Sequence, residues 1–237
     1  MRVALIGYGK MGHEIEKTLF FRGHTVALII DKENVADLCP QKMKDIDVAI
    51  EFSAPSVAYD NVVNALRCGV PVVCGTTAWV ERLEEVKKLC VELDGAFFYA
   101  SNYSVGVNLM FRINTMLARL MEPFPQYDVT IDEVHHTAKV DAPSGTAVTL
   151  AEEILEGISR KKSWVLGASI NSEELNVGAV RRSTVPGTHN VVWDSPVDEI
   201  TITHRAKSRA GFAEGAVLAA EFLIGKKGFF SMDDLLK

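Results

Sequence analysis

Arg2-Val3-Ala4-Leu5-Ile6-Gly7-Tyr8-Gly9-Lys10-Met11-Gly12 is the stretch that decides the fold. Its first residues form a short apolar run that favours β structure, and glycines follow at the three positions of G-x-G-x-x-G. Met11, Ile15 and Leu19 then share one helical face. Strand, tight turn and helix in that order open a dinucleotide-binding β-α-β unit. The glycines permit the sharp turn and let backbone approach a pyrophosphate, and the helix start offers unpaired N–H groups and partial positive charge. Thr25-Val26-Ala27-Leu28-Ile29-Ile30-Asp31 supplies the second strand. Asp31 ends it about 20 residues past the loop, where an acid can accept hydrogen bonds from ribose hydroxyls. Candidate cofactor contacts are therefore Gly7, Tyr8, Gly9, Lys10, Met11, Gly12, Asp31 and Lys32. Asp31 should repel a 2′-phosphate and Lys32 should attract one, so NADH is expected with NADPH tolerated.

The alternation continues outward from that unit. Asp47 to Phe52, Val70 to Cys74 and Ala96 to Tyr99 have the pattern of buried strands, and Val57 to Arg67 and Trp79 to Leu93 that of helices. In the second helix Val80, Leu83, Val86, Leu89 and Cys90 make the apolar stripe. Strands alternating with helices imply a parallel sheet covered on both faces. Gly75, Thr76 and Thr77, and Ala100, Ser101, Asn102 and Tyr103, leave the carboxyl ends of two of these strands, where ligands of open α/β sheets bind.

From Val105 the pattern changes. A helix from about Val107 to Met121 leads to an alternating strand, Tyr127 to Val134, and a helix from about Thr146 to Ser159 follows. Val177 to Arg182, Asn190 to Asp194 and Glu199 to Ala206 then alternate as antiparallel strands do. The expected fold class is α/β: an N-terminal Rossmann-type parallel sheet plus an α+β domain with a four-stranded mixed sheet. Phe212 to Leu223, apolar and rich in alanine, needs a partner surface and is expected to pack on the first domain. The expected division is residues 1–104 with 208–237, and 105–207.

Composition excludes several classes. The chain has 237 residues, 48% hydrophobic and 24% charged, as in ordinary globular proteins, and its net charge of -6 gives no basic field for nucleic acid. No apolar run approaches the roughly 20 residues that span a bilayer, and the N-terminus has no feature of a signal peptide. Cys39, Cys68, Cys74 and Cys90 form no C-x-x-C pair, so neither a zinc site nor a disulfide framework is expected and no metal is assigned. Buried thiols in a cytoplasmic protein are the economical reading.

The chemistry is concentrated in Glu133-Val134-His135-His136-Thr137-Ala138-Lys139-Val140-Asp141-Ala142-Pro143-Ser144-Gly145-Thr146-Ala147. His135 is a candidate proton donor, since an imidazole titrates near 6.5. Lys139 supplies fixed positive charge, and Ser144, Gly145 and Thr146 start a helix whose N–H groups suit a carboxylate. His136 is a candidate substrate contact. Adjacent side chains of a strand point to opposite faces, so both histidines reach one ligand only if the strand ends or twists there.

These residues resemble the 4-hydroxy-tetrahydrodipicolinate reductase family. The resemblance rests on Lys10-Met11-Gly12, Gly75-Thr76-Thr77, Ser101 to Asn108, above all His135 to Ala147, and the late stretch Asp198 to Ala216. It covers essentially the whole chain. It implies an NAD(P)H-dependent reduction of a small cyclic dicarboxylate with loss of water, in lysine biosynthesis through diaminopimelate. His135 and Lys139 would be catalytic, with His136, Ser144, Gly145 and Thr146 binding substrate. Gly75 to Thr77 and Ala100 to Tyr103 would lie on the nicotinamide side. The resemblance further implies a homotetramer built through the second domain, with no nucleic-acid or membrane partner. This chain departs from many members in a glycine loop one residue shorter and in the short span from Asp31 to Asp45. Two other readings compete. A second two-domain dehydrogenase of the aspartate pathway is weakened, for the semialdehyde enzyme, by having all four cysteines at or before Cys90. A non-catalytic NAD(H) sensor would need neither a proton donor nor an anion cradle.

Overall fold

A computed structural model describes residues 1–237, which divide into two compact units, Met1–Val105 with Arg209–Lys237, and Gly106–Ser208.

In the first unit β1 (Arg2–Ile6), α1 (Lys10–Phe21), β2 (Thr25–Ile30), α2 (Pro40–Met43), β3 (Val48–Glu51), α3 (Pro55–Arg67), β4 (Val72–Cys74), α4 (Leu83–Glu92) and β5 (Ala96–Tyr99) alternate as the sequence predicts. All strand pairs are parallel, in the order β11-β5-β4-β3-β1-β2, where β11 (Gly228–Phe230) is a strand that the sequence pattern does not reveal. At three residues it is too short for a periodic signal. Successive strand residues feed opposite faces of the sheet. Val3, Leu5, Ile50 and Phe98 pack with Ile15 and Leu19 of α1 and with the alanine-rich α7 (Ala210–Leu223). Ala4, Ile6, Ala49 and Phe97 pack with Val62 and Leu66 of α3 and with Val86 and Cys90 of α4. The apolar C-terminal helix thus finds its partner surface in this unit, and α8 (Met232–Leu235) follows it. One stripe residue is corrected: Val80 is exposed, because Val80–Arg82 forms a separate 3-10 turn, and Trp79 is the buried side chain, its Nε1 donating to the Thr76 carbonyl.

The second unit holds α5 (Val105–Met121), β6 (Asp128–His135), α6 (Gly145–Gly157), β7 (Ser163–Leu166), β8 (Glu174–Arg181), β9 (Thr188–Asp194) and β10 (Glu199–Arg205). Its sheet is mixed, but with five strands in the order β10-β9-β6-β8-β7 rather than four. The added strand is Ser163-Trp164-Val165-Leu166, too short and too mixed to declare itself. A second correction is that β8 runs parallel to β6, while β9 and β10 are antiparallel as expected. Alternating residues of β6 account for the layering: Val129, Ile131, Glu133 and His135 are buried, whereas Asp128 and Asp132 are exposed. Val129, Ile131, Val177 and Trp193 form the core with Met110 and Ala118 of α5 and Leu150 and Ile154 of α6. The same face that builds this core carries Glu133 and His135 to its edge.

Candidate active site

In the first unit the three loop glycines answer to three different needs. Gly7 has φ +88°, and a Cβ there would stand 2.3 Å from the Phe52 carbonyl oxygen. A Cβ at Gly12 would lie 2.5 Å from the Gly7 carbonyl oxygen, so the helix can sit close under the turn only with glycine. Gly9 has nothing within 4 Å of its Cβ position and begins α1 with no side-chain cap, which leaves the helix start open to an anion. Two cavities meet at Gly9. One of about 710 Å³ is lined by Gly7, Tyr8, Asp31, Lys32 and Asn61, among others. One of about 420 Å³ is lined by Lys10, Met11, Gly75, Thr76 and Thr77. Met11 also packs against the core. The Tyr8 hydroxyl donates to Glu16, and Asp31 Oδ1 accepts the Lys32 N–H at 2.8 Å. An open helix start between two cavities fits the phosphates and flanking nucleosides of a dinucleotide.

Phe52 and Ser53 line both cavities, and sequence reading gave them no role. The fully buried Glu51 accepts the Ser53 N–H at 3.0 Å and the Cys74 thiol at 3.1 Å, and Thr76 Oγ1 accepts the same Ser53 N–H at 2.9 Å. That acid holds together the loops after β3 and β4. A charged residue closing an otherwise apolar strand was the available signal.

Among the four residues after β5, Ser101 is exposed, Ala100 is buried, and Asn102 Oδ1 accepts the Ser104 N–H. Tyr103 is the last of these residues. It is buried between Phe52 and Phe98, with its hydroxyl donating to the Cys74 carbonyl at 2.8 Å. Burial pushes the phenol well above its ordinary value, so it serves as a neutral strut of the core.

In the second unit β6 ends at His135, and His136 starts a turn in which its carbonyl accepts the Lys139 N–H at 3.1 Å. The two histidines therefore diverge, His135 buried and His136 half-buried. Lys139 Nζ donates to both oxygens of Asp141 at 2.7 Å, and this pairing draws the Asp141 carboxyl below its usual range. Ser144 stands at the start of α6. It is buried, its hydroxyl caps α6 by accepting the Ala147 N–H, and its own N–H donates to Glu133. Gly145, at the first turn of α6, has nothing within 4 Å of its Cβ position, and Thr146 follows it.

Glu133 is the hub that sequence reading missed. Its buried carboxylate accepts from the Ser144 N–H at 3.1 Å and from Arg181 Nη2 at 3.0 Å. Its Oε2 lies 3.5 Å from both His135 Nδ1 and His189 Nε2. Burial acts to raise its pKa, but hydrogen bonds from His189 and Ser144 outweigh burial and hold it at about 2. His135 is lowered to about 4, first by burial and then by the positive charge of Lys139 and Arg181, with Glu133 opposing. Glu133, His135 and His189 bring ligand atoms within 4.8 Å of one another, as a metal site would. Arg181 and Ser144 already satisfy the carboxylate that a cation would need.

Both shifts favour the deprotonated forms in the folded state, so they add stability at high pH. The His135 contribution is complete above pH 6.5 and is lost as pH falls through 4; that of Glu133 is lost between 4.5 and 2. The expected result is a melting temperature that falls from pH 6.5 to pH 4, the His135 share amounting to roughly 3 kcal/mol at about 1.4 kcal/mol per pH unit. Calorimetry across that window checks it. In His135→Gln the curve should be flatter, and equal slopes in the two proteins would contradict the assignment.

A parallel sheet with an open glycine-loop helix start, followed by a mixed sheet with a histidine–carboxylate cluster, defines a two-domain reductase of the nicotinamide-nucleotide class. Residues 1–103 match the family described as dihydrodipicolinate reductase, N-terminus, and residues 106–236 match dihydrodipicolinate reductase, C-terminus. The chain belongs to the dihydrodipicolinate reductase family and is an oxidoreductase. A protein of Christiangramia forsetii named 4-hydroxy-tetrahydrodipicolinate reductase is 45% identical over 238 residues, spanning 100% of this chain and 98% of the relative. A protein of the same name from Methanococcus vannielii is 33% identical, over 96% of this chain and 84% of its own. A dipicolinate-bound dihydrodipicolinate reductase from Paenisporosarcina sp. TG-14 shares the fold with a TM-score of 0.80 at 23% identity, covering 98% of this chain and 97% of that one. The competing sensor and semialdehyde dehydrogenase readings fall away with this membership.

Proposed function

We propose that this protein reduces 4-hydroxy-tetrahydrodipicolinate to tetrahydrodipicolinate, with loss of water, in the diaminopimelate route to lysine. The observation that carries this reading is the compact order His135, Lys139–Asp141, Gly145–Thr146 between the end of β6 and the start of α6. A bound reduced nicotinamide supplies the hydride. Gly145 and Thr146 at the helix start, with Lys139, hold the carboxylates, and His136 borders the same segment. Ser144, which caps that helix, is assigned to the same substrate contacts, as is His136. His135 gives the proton that quenches the reduced ring. The substrate's two negative charges oppose the positive field of Lys139 and Arg181, so His135 takes up a proton as substrate binds. The direct test is oxidation of reduced nicotinamide by the purified protein when the product of the preceding synthase is supplied. No oxidation with either cofactor would end this reading.

Thr146→Val and Lys139→Ala are expected to weaken binding of pyridine-2,6-dicarboxylate about ten- to a hundred-fold, since a hydrogen bond to a charged group contributes roughly 1.5–3 kcal/mol. Titration calorimetry measures this, and unchanged affinity in both variants would move the carboxylates elsewhere.

The residues of the first unit support NADH with NADPH tolerated. Asp31 and Lys32 stand side by side in the wall of the larger cavity, one suited to a free 2′-hydroxyl and the other to a phosphate. The remaining contacts are assigned to Gly7 through Gly12, Gly75 through Thr77, and Ala100 through Tyr103. Asp31→Ser should raise the ratio of kcat/KM for NADPH over NADH and Lys32→Ala should lower it. Both changes should shrink as salt rises, and an unchanged ratio in Asp31→Ser would put ribose recognition elsewhere. We further propose a cytoplasmic homotetramer assembled through the second unit. Four free cysteines suit a reducing compartment, and no helix is long and apolar enough to cross a membrane. Light scattering giving other than four times 26.0 kDa would refute the assembly.

A further inference from the structure

The two ring nitrogens of His135 have unlike surroundings. Nδ1 is buried without a hydrogen-bond partner, and the Glu133 carboxylate oxygen Oε2 lies 3.5 Å away. Nε2 faces Gly187, where a Cβ would stand 3.0 Å from it and 3.3 Å from Cδ2. Gly187 is fixed in place, its carbonyl accepting the Ala206 N–H at 2.8 Å. Glu133 is equally fixed, by Arg181 Nη2 at 3.0 Å and the Ser144 N–H at 3.1 Å. An unprotonated Nδ1 would set its lone pair against a carboxylate. A proton there turns that contact into an attraction and gives a buried nitrogen a partner.

We infer that Glu133 and Gly187 are positioning residues that decide which nitrogen of His135 works: Glu133 holds the Nδ1–H, and Gly187 keeps Nε2 open to substrate. This rests on the proposed function for the identity of the proton acceptor, but not for the tautomer. In the step itself the Nε2–H bond breaks and its electron pair stays on the ring. The proton joins the substrate atom made electron-rich by hydride from the reduced nicotinamide. The imidazole ends neutral, with its remaining proton on Nδ1. The charged and titratable groups facing His135 are Glu133 on its own strand, and Lys139, Arg181 and His189 from other segments.

Nitrogen-15 NMR of the histidine-labelled full-length protein at neutral pH tests the tautomer directly, with His135→Gln assigning the signal. Neutral His135 should carry its proton on Nδ1; a proton on Nε2 overturns the inference whether or not the enzyme turns over. Gly187→Ala should lower kcat at least about tenfold, the low end of what general acid catalysis contributes being somewhat larger. KM should stay within about threefold, a split that loss of an acid step alone produces. Glu133→Gln should move the alkaline fall of kcat to lower pH by about one unit, because the anion that steadies the imidazolium is gone; Glu133→Asp should restore part of the shift. A Gly187→Ala enzyme with wild-type kcat, or a folded Glu133→Gln enzyme with an unmoved pH profile, would also overturn it.

Discussion

His135→Gln should lower kcat by about 10²-fold or more, the scale of lost general acid catalysis, while reduced nicotinamide still binds. Glutamine retains a polar group at this buried position but has no proton to give near neutral pH. The cofactor-side residues belong to the other unit, so binding of NADH measured by fluorescence should be close to wild type. Steady-state turnover together with that titration separates the two effects. Turnover near the wild-type level would remove His135 from the chemistry. Loss of cofactor binding along with turnover would mean that the substitution damages more than the acid.

The largest structural effect is expected from Gly215→Ala in α7. A Cβ there would sit 1.7 Å from the Tyr103 carbonyl oxygen and 2.8 Å from its carbonyl carbon, both backbone atoms that cannot swing aside. Tyr103 is itself held by Phe52, Phe98 and the Cys74 carbonyl, so relief would require α7 to lift from the sheet. Overpacking of a core commonly costs about 1–3 kcal/mol and sometimes more, and a contact this short belongs at or above the top of that range. Denaturant unfolding of the variant should show a loss of at least about 3 kcal/mol, or no folded first unit at all. Gly9→Ala makes the contrast, because its Cβ meets nothing within 4 Å. That variant should unfold like wild type but bind cofactor poorly, since the methyl group would occupy the space a phosphate needs. Equal stability of the Gly215→Ala variant and the native protein would show that the close approach is easily relaxed.

The alternation of short apolar runs and amphipathic helices made the first sheet legible, because strands buried on both faces are apolar throughout. The strands that escaped, Ser163–Leu166 and Gly228–Phe230, are short and find their places only through neighbours distant in sequence. The direction of β8 was equally illegible, since side-chain alternation is the same whether the neighbouring strand runs parallel or antiparallel. At the site His135 and Lys139 stood out by residue type. Glu133 did not, although it lies two residues from His135 and so shares the buried face of Val129 and Ile131. Reading that alternation through to its charged member would have found it. His189 and Arg181 come from other strands and could not have been placed beside His135 from sequence. The close approach of the Tyr103 backbone carbonyl to Gly215 was likewise illegible, since the two lie more than a hundred residues apart in the chain.

The first sheet has its edge strand and one of its covering helices at the far end of the chain, after the whole of the second unit. On the ribosome the segment from Gly106 to Ser208 is therefore complete while the first unit still lacks α7 and β11. Until they arrive, the face formed by Val3, Leu5, Ile50 and Phe98 has only α1 to cover it, and β5 presents an unpaired edge. Domains usually fold in the order in which they are made; here the thirty or so residues made after the second unit finish what the hundred made before it began. A nascent chain that stalls near residue 208 would expose both an apolar sheet face and a sheet edge, making it a ready client for chaperones, while its later-made neighbour is already able to fold.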